Sequence, residues 1–363
     1  MKRFVVVVCL LLVLACGAAV AQSVQGLEMH GYIQDRFYAN PNASAVFAID
    51  RVSISAKADL PNKAKMYVEY YINPWVTDKV LASGTITGEQ SRNYLESGYA
   101  EIPTKDGFLR IGKGRCLNFG ITPAYGNRKT TSYGSLAETF TQDRVTGIQY
   151  CVRDEKFDGG ISILDASHVT NRALGPYVVS TTNTVKHIAE RDDNANLSGV
   201  LAATAKIGWV YPNFKWHLSG STSKMLAAEA SAIAGFYDST TTDRTMNKYG
   251  LDATYQKGNL FMSAEGYRGQ YSMVRIDGLG LILGYEPKDK PRYYVTYNTL
   301  TNNLKPTFVQ QTWDTRQFIF GYVYPISKGV WLEGNYIKNM EVPGGGVSKV
   351  KNDMMFAELF TSI

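Results

Sequence analysis

His217 and Ser219 are the first residues whose types and spacing could do chemistry. Two positions apart on a strand they share a face, and histidine beside a serine hydroxyl is the pairing of general base and nucleophile. A barrel lipase needs that pair turned toward lipid, where its acyl substrate lies. Here Phe214, Trp216 and Leu218 hold the apolar parity, which turns His217 and Ser219 inward with Lys215 and Ser221. The arrangement reads against a hydrolase.

A second group is basic. Arg115, Arg128 and Lys129 face one acid, Glu138, before Asp143. Clustered charge of one sign focuses potential in a narrow, low-dielectric passage and biases which ions enter. The plainer reading is solvated charge, or partners for nearby acids. The acids Asp192, Asp193, Asp238 and Asp243 could hold calcium or bridge charged headgroups, but solvated loop charge accounts for them better. His30, His168 and His187 are scattered, and no Cys/His spacing suggests zinc. Gly344-Gly345-Gly346 follows Pro343 in a short loop, not a strand-to-helix transition, so it is no phosphate loop. No cofactor is implied.

The elements that position these residues announce themselves by alternation. Val46, Ala48, Asp50, Val52, Ile54, Ala56, Ala58 and Leu60 form one phase; Phe47, Ile49, Arg51, Ser53, Ser55, Lys57 and Asp59 form the other. Period-two segregation over that length gives an apolar and a mostly polar sheet face. After Pro61-Asn62 the pattern resumes as Ala64, Met66, Val68, Tyr70, Ile72 against Lys65, Tyr67, Glu69, Tyr71. Asp50 is the exception, placed here near a membrane boundary, where charge costs less.

Strands are expected at 27–38, 45–60, 63–72, 92–102, 107–115, 144–153, 159–169 and 197–211. They continue at 214–225, 247–257, 260–271, 278–286, 291–299, 313–324, 330–340 and 351–362. Connections after the even-numbered strands are short, such as Pro61-Asn62, Pro212-Asn213 and Gly258-Asn259. Most of the others are long and polar: 73–91, 116–143, 170–196, 226–246 and 300–312. A bacterial outer-membrane barrel sorts its connections this way, into short periplasmic turns and longer outer loops. Aromatics flank four successive short turns, as Tyr211 and Phe214, Tyr255 and Phe261, Tyr285 and Tyr293, Tyr324 and Trp331. They suggest an interfacial girdle. The expected fold is all-β: a transmembrane antiparallel up-and-down β-barrel of about sixteen strands.

The first 21 residues read as a cleaved signal peptide. Lys2 and Arg3 precede an apolar run, and Ala19-Val20-Ala21 supplies the cleavage site. Residues 22–363 then form one barrel domain, exported to the outer membrane. The net charge of +6 falls to +4 without Lys2 and Arg3, too balanced to argue for nucleic acid. No apolar run is long enough for a transmembrane helix. Cys116 and Cys151 are expected at opposite ends of the membrane, so as two free thiols.

The stretch from 45 to 153 resembles the porin superfamily that includes the phosphate-selective porins O and P. The pieces that carry it are FAIDRVSISAKADL, KMYVEYYI, LESGYAEIP, GFLRIGKGRCLNFGITP and QDRVTGIQY. Within them stand Leu109-Arg110-Ile111-Gly112, the loop around Phe119-Gly120, and Arg144-Val145-Thr146-Gly147. Further on, GLDATYQKGNLFMSAEGYRG resembles the family's later hairpin with an inward Glu265. The resemblance implies a sixteen-strand barrel, a homotrimer, and a third long loop, residues 116–143, folded into the lumen. It implies a passive channel for small ions and hydrophilic solutes, surrounded by outer-membrane lipid. The barrel-assembly machinery usually reads a terminal aromatic ring, whereas this chain ends Leu359-Phe360-Thr361-Ser362-Ile363. Nor does it carry the dense basic series of a phosphate-specific member.

By parity the lumen receives Arg36, Arg51, Lys57, Lys65 and Arg110, with Glu69, Asp252 and Glu265; the third loop adds Arg115, Arg128 and Lys129. That excess of base predicts a mild preference for anions. The alternatives are a plugged structural or adhesive barrel and, more remotely, a barrel hydrolase resting on His217 and Ser219.

Overall fold

The computed structural model describes residues 26–40, 43–73, 92–122, 124, 127, 129–141, 144–173, 186–190, 200–236, 239–304, 313–343 and 353–362. The expected leader at 1–21, Arg128, Asp143, Asp192, Asp193, Asp238, Gly344–Gly346 and Ile363 lie outside the described residues.

The first nine strands are β1 (Glu28–Asn40), β2 (Ala43–Asp59), β3 (Lys65–Asn73), β4 (Arg92–Pro103), β5 (Gly107–Arg115), β6 (Arg144–Arg153), β7 (Asp158–Asp165), β8 (Val169–Ala173) and β9 (Lys186–Glu190). The rest are β10 (Leu201–Tyr211), β11 (Phe214–Lys224), β12 (Thr245–Lys257), β13 (Leu260–Tyr271), β14 (Val274–Tyr285), β15 (Arg292–Leu304), β16 (Trp313–Ser327), β17 (Val330–Pro343) and β18 (Met354–Ser362). Sixteen close into an antiparallel barrel, each expected strand matching one of them, and β18 pairs with β1 to remove the last edge. β8 and β9 form a separate two-stranded sheet. The alternation reading had assigned that stretch to a loop, because five-residue strands are too short to show a period.

Parity sets the two faces. Along β10, Leu201, Ala203, Ala205, Ile207 and Trp209 are exposed while Ala202, Thr204 and Lys206 are buried inside. The same rule corrects the girdle. Tyr211, Phe214, Tyr285, Tyr293 and Tyr324 are outward and exposed. Phe261 and Trp331 have the opposite parity to exposed Leu260, Met262 and Leu332, and they face the interior.

Two β-bulges overturn strict alternation. Gln34 pairs with Arg51 and Asp35 with Ile49, so Asp50 is an extra residue in β2. The phase flips there: Phe47 and Ile49 are exposed on the outer face, not inside as parity from residue 46 required. Asp50 turns inward, where it pairs with Arg36 at 3.2 Å and accepts a hydrogen bond from Tyr38. In β4, Glu69 pairs with Ser97 and Tyr70 with Leu95, leaving Glu96 as the bulged residue. Glu96 is 2 % exposed and lies 3.3 Å from Arg115 and 2.5 Å from Arg144.

The interior is not uniform. Helix α1 (Gly134–Phe140) lies against β14, β15 and β16, and helix α2 (Ala227–Phe236) against β8. Leu136 and Phe140 of α1, Ile188 of β9 and Ile233 of α2 pack with Tyr271, Ile276 and Leu300 of the wall into one apolar cluster. A second cluster, including Ile282, Tyr294, Ile319 and Ile337, lines the wall from β13 to β18. Charged side chains line the wall of β2–β5, among them Arg51, Glu69, Glu96 and Arg110.

Candidate functional site

The segment from Cys116 to Thr141 crosses the interior, and the contacts holding it can be followed in order. The Leu117 N–H donates to Gln149 Oε1 of β6 at 2.8 Å, and Asn118 Nδ2 donates to Ser162 of β7 at 2.8 Å. The Gly120 N–H reaches Ser219 of β11, and the Ile121 N–H reaches the Tyr267 hydroxyl of β13 at 3.0 Å. That hydroxyl donates in turn to buried Glu265. Thr130 Oγ1 and the Thr131 N–H both donate to Glu333 of β17, at 2.9 and 3.2 Å. The Ser135 N–H donates to Gln317 of β16 at 3.1 Å.

Glycines make room for this crossing at two places. Gly120 has φ +58, and a Cβ there would stand 2.5 Å from the Tyr267 oxygen. On the wall, a Cβ at Gly278 would stand 2.3 Å from the Leu136 side chain, so the bare backbone forms the notch that receives it.

The crossing also bears on the surroundings of the thiols. Cys116 and Cys151 are both free, but the chain after Cys116 turns back into the barrel. Asn118 thereby comes to rest 3.7 Å from the Cys151 sulfur. The β5–β6 register, with Arg115 opposite Arg144 and Phe108 opposite Cys151, puts Cys116 and Cys151 at opposite ends of the strand pair, as expected.

Between this segment and the wall of β1–β5 lies a cavity of about 330 Å³. Its charged lining is Arg51, Arg110 and Arg115 against Glu69 and Glu96. Arg115 is salt-bridged to Glu96, and Arg110 donates to Glu101 at 3.0 and 2.6 Å. Glu69 accepts from Ser53 at 2.7 Å and Tyr67 at 3.0 Å. Arg51 makes no salt bridge among the described residues; its guanidinium stacks 4.6 Å over the Tyr71 ring.

The other residues singled out from sequence lie elsewhere. Arg36 is held between Asp50 and Glu358. Lys65 is exposed at the start of β3, in register with Asp59 and Glu101. Glu265 is buried under the crossing segment. Lys129 reaches Glu286, in the turn between β14 and β15, at 3.1 Å. Sequence reasoning missed Glu96 and Glu333, because nothing local marks a bulge or a partner two hundred residues away.

Glu286 ties the segment down electrostatically. Burial pushes its carboxyl up, but hydrogen bonds from Arg292 and Lys129 outweigh that and hold it below the ordinary carboxylate range. A depressed carboxylate contributes above its unfolded value and loses its contribution as pH falls through the folded one. The Lys129 tether should therefore persist through pH 5 and release only below the ordinary glutamate range. The difference in single-channel conductance between the parent and Lys129→Gln is expected to stay constant from neutral pH down to that point; a change in that difference between pH 5 and 6 would contradict it.

A second cavity, about 190 Å³, is lined by His217, Asp252, Asp158, Lys206 and Lys215 among others. His217 Nδ1 lies 2.6 Å from Asp252 and Nε2 lies 3.4 Å from Asp158. Ser219 accepts from the Gly120 N–H, so both members of the His-Ser pair serve as wall structure. His217→Ala would strand Asp252, which is 1 % exposed, and is expected to cost about 3–5 kcal/mol of stability. The midpoint of urea unfolding followed by gel mobility measures this, and His217→Gln should recover part of the loss. Among the described residues no group of three or more His, Cys, Asp or Glu is placed to hold a metal ion.

No protein-family model matches the chain, and no curated protein matches it. Solved structures do. OmpF of Salmonella typhi in complex with daunomycin aligns with a TM-score of 0.62 at 11% identity, over 93% of this chain and 97% of that one. The trimer form of OmpT, an outer-membrane protein of Vibrio cholerae, aligns at 0.56 and 11%, over 93% and 99%. An anion-selective porin from Comamonas acidovorans aligns at 0.54 and 12%, over 93% and 99%. At such identities the likeness is one of fold, a closed sixteen-strand barrel of the porin kind.

Proposed function

We propose that this chain is an outer-membrane porin, a water-filled channel for passive diffusion of small hydrophilic solutes and ions, with a mild preference for anions. The observation that carries the reading is the polar cavity between the crossing segment and the β1–β5 wall, inside a barrel whose outer face is apolar. Ile33, Phe47, Ile49, Ile54, Leu279 and Leu281 are exposed on that outer face. Water is a costly surrounding for such a band and lipid a favourable one, provided every strand edge is paired. Export through a cleaved leader at residues 1–21 places the barrel in that lipid. Homotrimeric assembly is supported by the trimeric neighbour, and insertion requires the barrel-assembly machinery.

The preference for anions now rests on different residues. Arg115 and Lys129 are matched by Glu96 and Glu286. The lining of the larger cavity still carries three arginines against two glutamates. The test is the zero-current potential across a planar bilayer with a KCl gradient. Chloride preference is the expected result, and potassium preference sinks this part of the reading.

One observation favours a plugged structural barrel: the apolar packing of α1, α2 and the β8–β9 sheet against the wall. Discrete conductance steps from the purified protein decide for the channel. Their absence decides for the plug.

A further inference from the structure

The open wall of the lumen carries a run of aromatic rings from one rim to the other, and we infer that it binds solutes bearing a carboxylate on a flat ring. This deepens the channel reading and rests on it. Trp331, one residue into β17 beside a short turn, stacks on Phe360 of β18 with centroids 3.9 Å apart and planes 14° from parallel. Phe360 stacks on Tyr32 of β1 at 5.0 Å. Tyr32 meets Tyr71 of β3 edge-on at 6.2 Å, and their hydroxyls are 2.8 Å apart. Tyr71 meets Tyr94 of β4 at 5.5 Å. Tyr71 and Tyr94 belong to the long-loop ends of their strands, whereas Trp331 and Phe360 belong to the short-turn ends.

Beside this run Tyr67 and Tyr99 lie 5.3 Å apart. Arg110 sits 3.9 Å over the Tyr99 ring, as Arg51 sits over Tyr71. A guanidinium over a ring extends the stacking surface; Arg110 is committed to Glu101, whereas Arg51, which makes no salt bridge among the described residues, keeps N–H groups for a carboxylate. The Arg51 Nε is buried and has no hydrogen-bond partner.

Charge selection alone would not use these rings. On the opposite wall Tyr294, Phe261 and Tyr267 are consumed in packing and are almost fully buried, as Tyr71 is within the run itself. Tyr32, Tyr67, Tyr99, Tyr133 and Phe360 are only partly covered and surround the 330 Å³ cavity. A ring face slid along them gains stacking at each station, while Arg51 holds the charged end.

The probe is benzoate, compared with acetate in single-channel recordings and, separately, in calorimetric binding to the purified barrel. Benzoate should half-block the current at a concentration about tenfold below that of acetate, from stacking energy alone. Tyr32→Leu is expected to erase most of that difference and Tyr32→Phe to keep it; Tyr67→Leu provides a second variant should the first assemble poorly. Glucuronate, whose ring is puckered and has no π face, is the control: stronger block by benzoate supports the inference, and stronger block by glucuronate overturns it. Equal potency of benzoate and acetate overturns the inference and leaves the channel standing. A barrel that conducts nothing overturns the channel, and calorimetry then decides whether the rings bind benzoate.

Discussion

Leu136→Asp is expected to raise single-channel conductance severalfold while leaving the barrel wall intact. Leu136 is fully buried and fills the notch over Gly278, with Gly280 beside it. Loss of a buried leucine costs about 2–5 kcal/mol. A carboxylate enclosed among Phe140, Ile276 and Leu300 would have no partner, a further penalty that the segment escapes only by leaving. Within α1 the Ser135 hydrogen bond to Gln317 opposes departure, worth about 1 kcal/mol net. The anchors of Leu117, Asn118, Gly120, Ile121, Thr130 and Thr131 keep the rest of the segment in place. The balance favours release. The wall has its own ladder from β1 round to β18 and does not depend on the segment for closure. Leu136→Met keeps the volume and should conduct as the parent does. Unchanged conductance in a correctly folded Leu136→Asp barrel would show that the segment does not obstruct the path.

The second large effect is on selectivity. Arg51→Glu changes the lining of the β1–β5 cavity from three bases against two acids to two against three. At about 10 Å and an effective dielectric constant of about 20, each unit charge shifts an ion's energy by about 1.7 kcal/mol. A swing of two charges is therefore large enough to reverse a mild preference. The zero-current potential in a KCl gradient should change sign, with Arg51→Gln falling between. If the sign holds, the charges that select ions lie outside this cavity. Arg110→Glu is a poorer probe, because Arg110 is already committed to Glu101.

Much of the wall could be read from residue order, because parity and turn residues act locally. Sixteen strands and their short turns follow from a period of two and from Pro61, Gly258 and their like. The bulges could not be read so. Asp50 breaks the apolar phase, and alternation alone explains it by depth in the membrane. The register shows instead that an extra residue turns it toward Arg36. Glu96 enters the lumen by the same device and neutralises Arg115, one of the residues on which an anion preference had been built. The crossing segment was suggested by resemblance, yet its anchors on β11, β13, β16 and β17 have no local signature. Gly278 beneath Leu136 looks like any strand glycine until the two are brought together.

The anchors also bear on the order in which the molecule can be put together. The crossing segment lies between β5 and β6, but Glu333, which holds Thr130, is 203 residues further along the chain. Strand β18, which joins β1, comes later still. Once that seam is zipped, the hydrogen-bond ladder is continuous around whatever it encloses. The segment must be inside, or still free to enter from the long-loop end, at that moment. Contacts of such separation bear a large loop-closure cost before they return any energy. Folding should thus end in a slow phase in which the interior fills and the seam closes together.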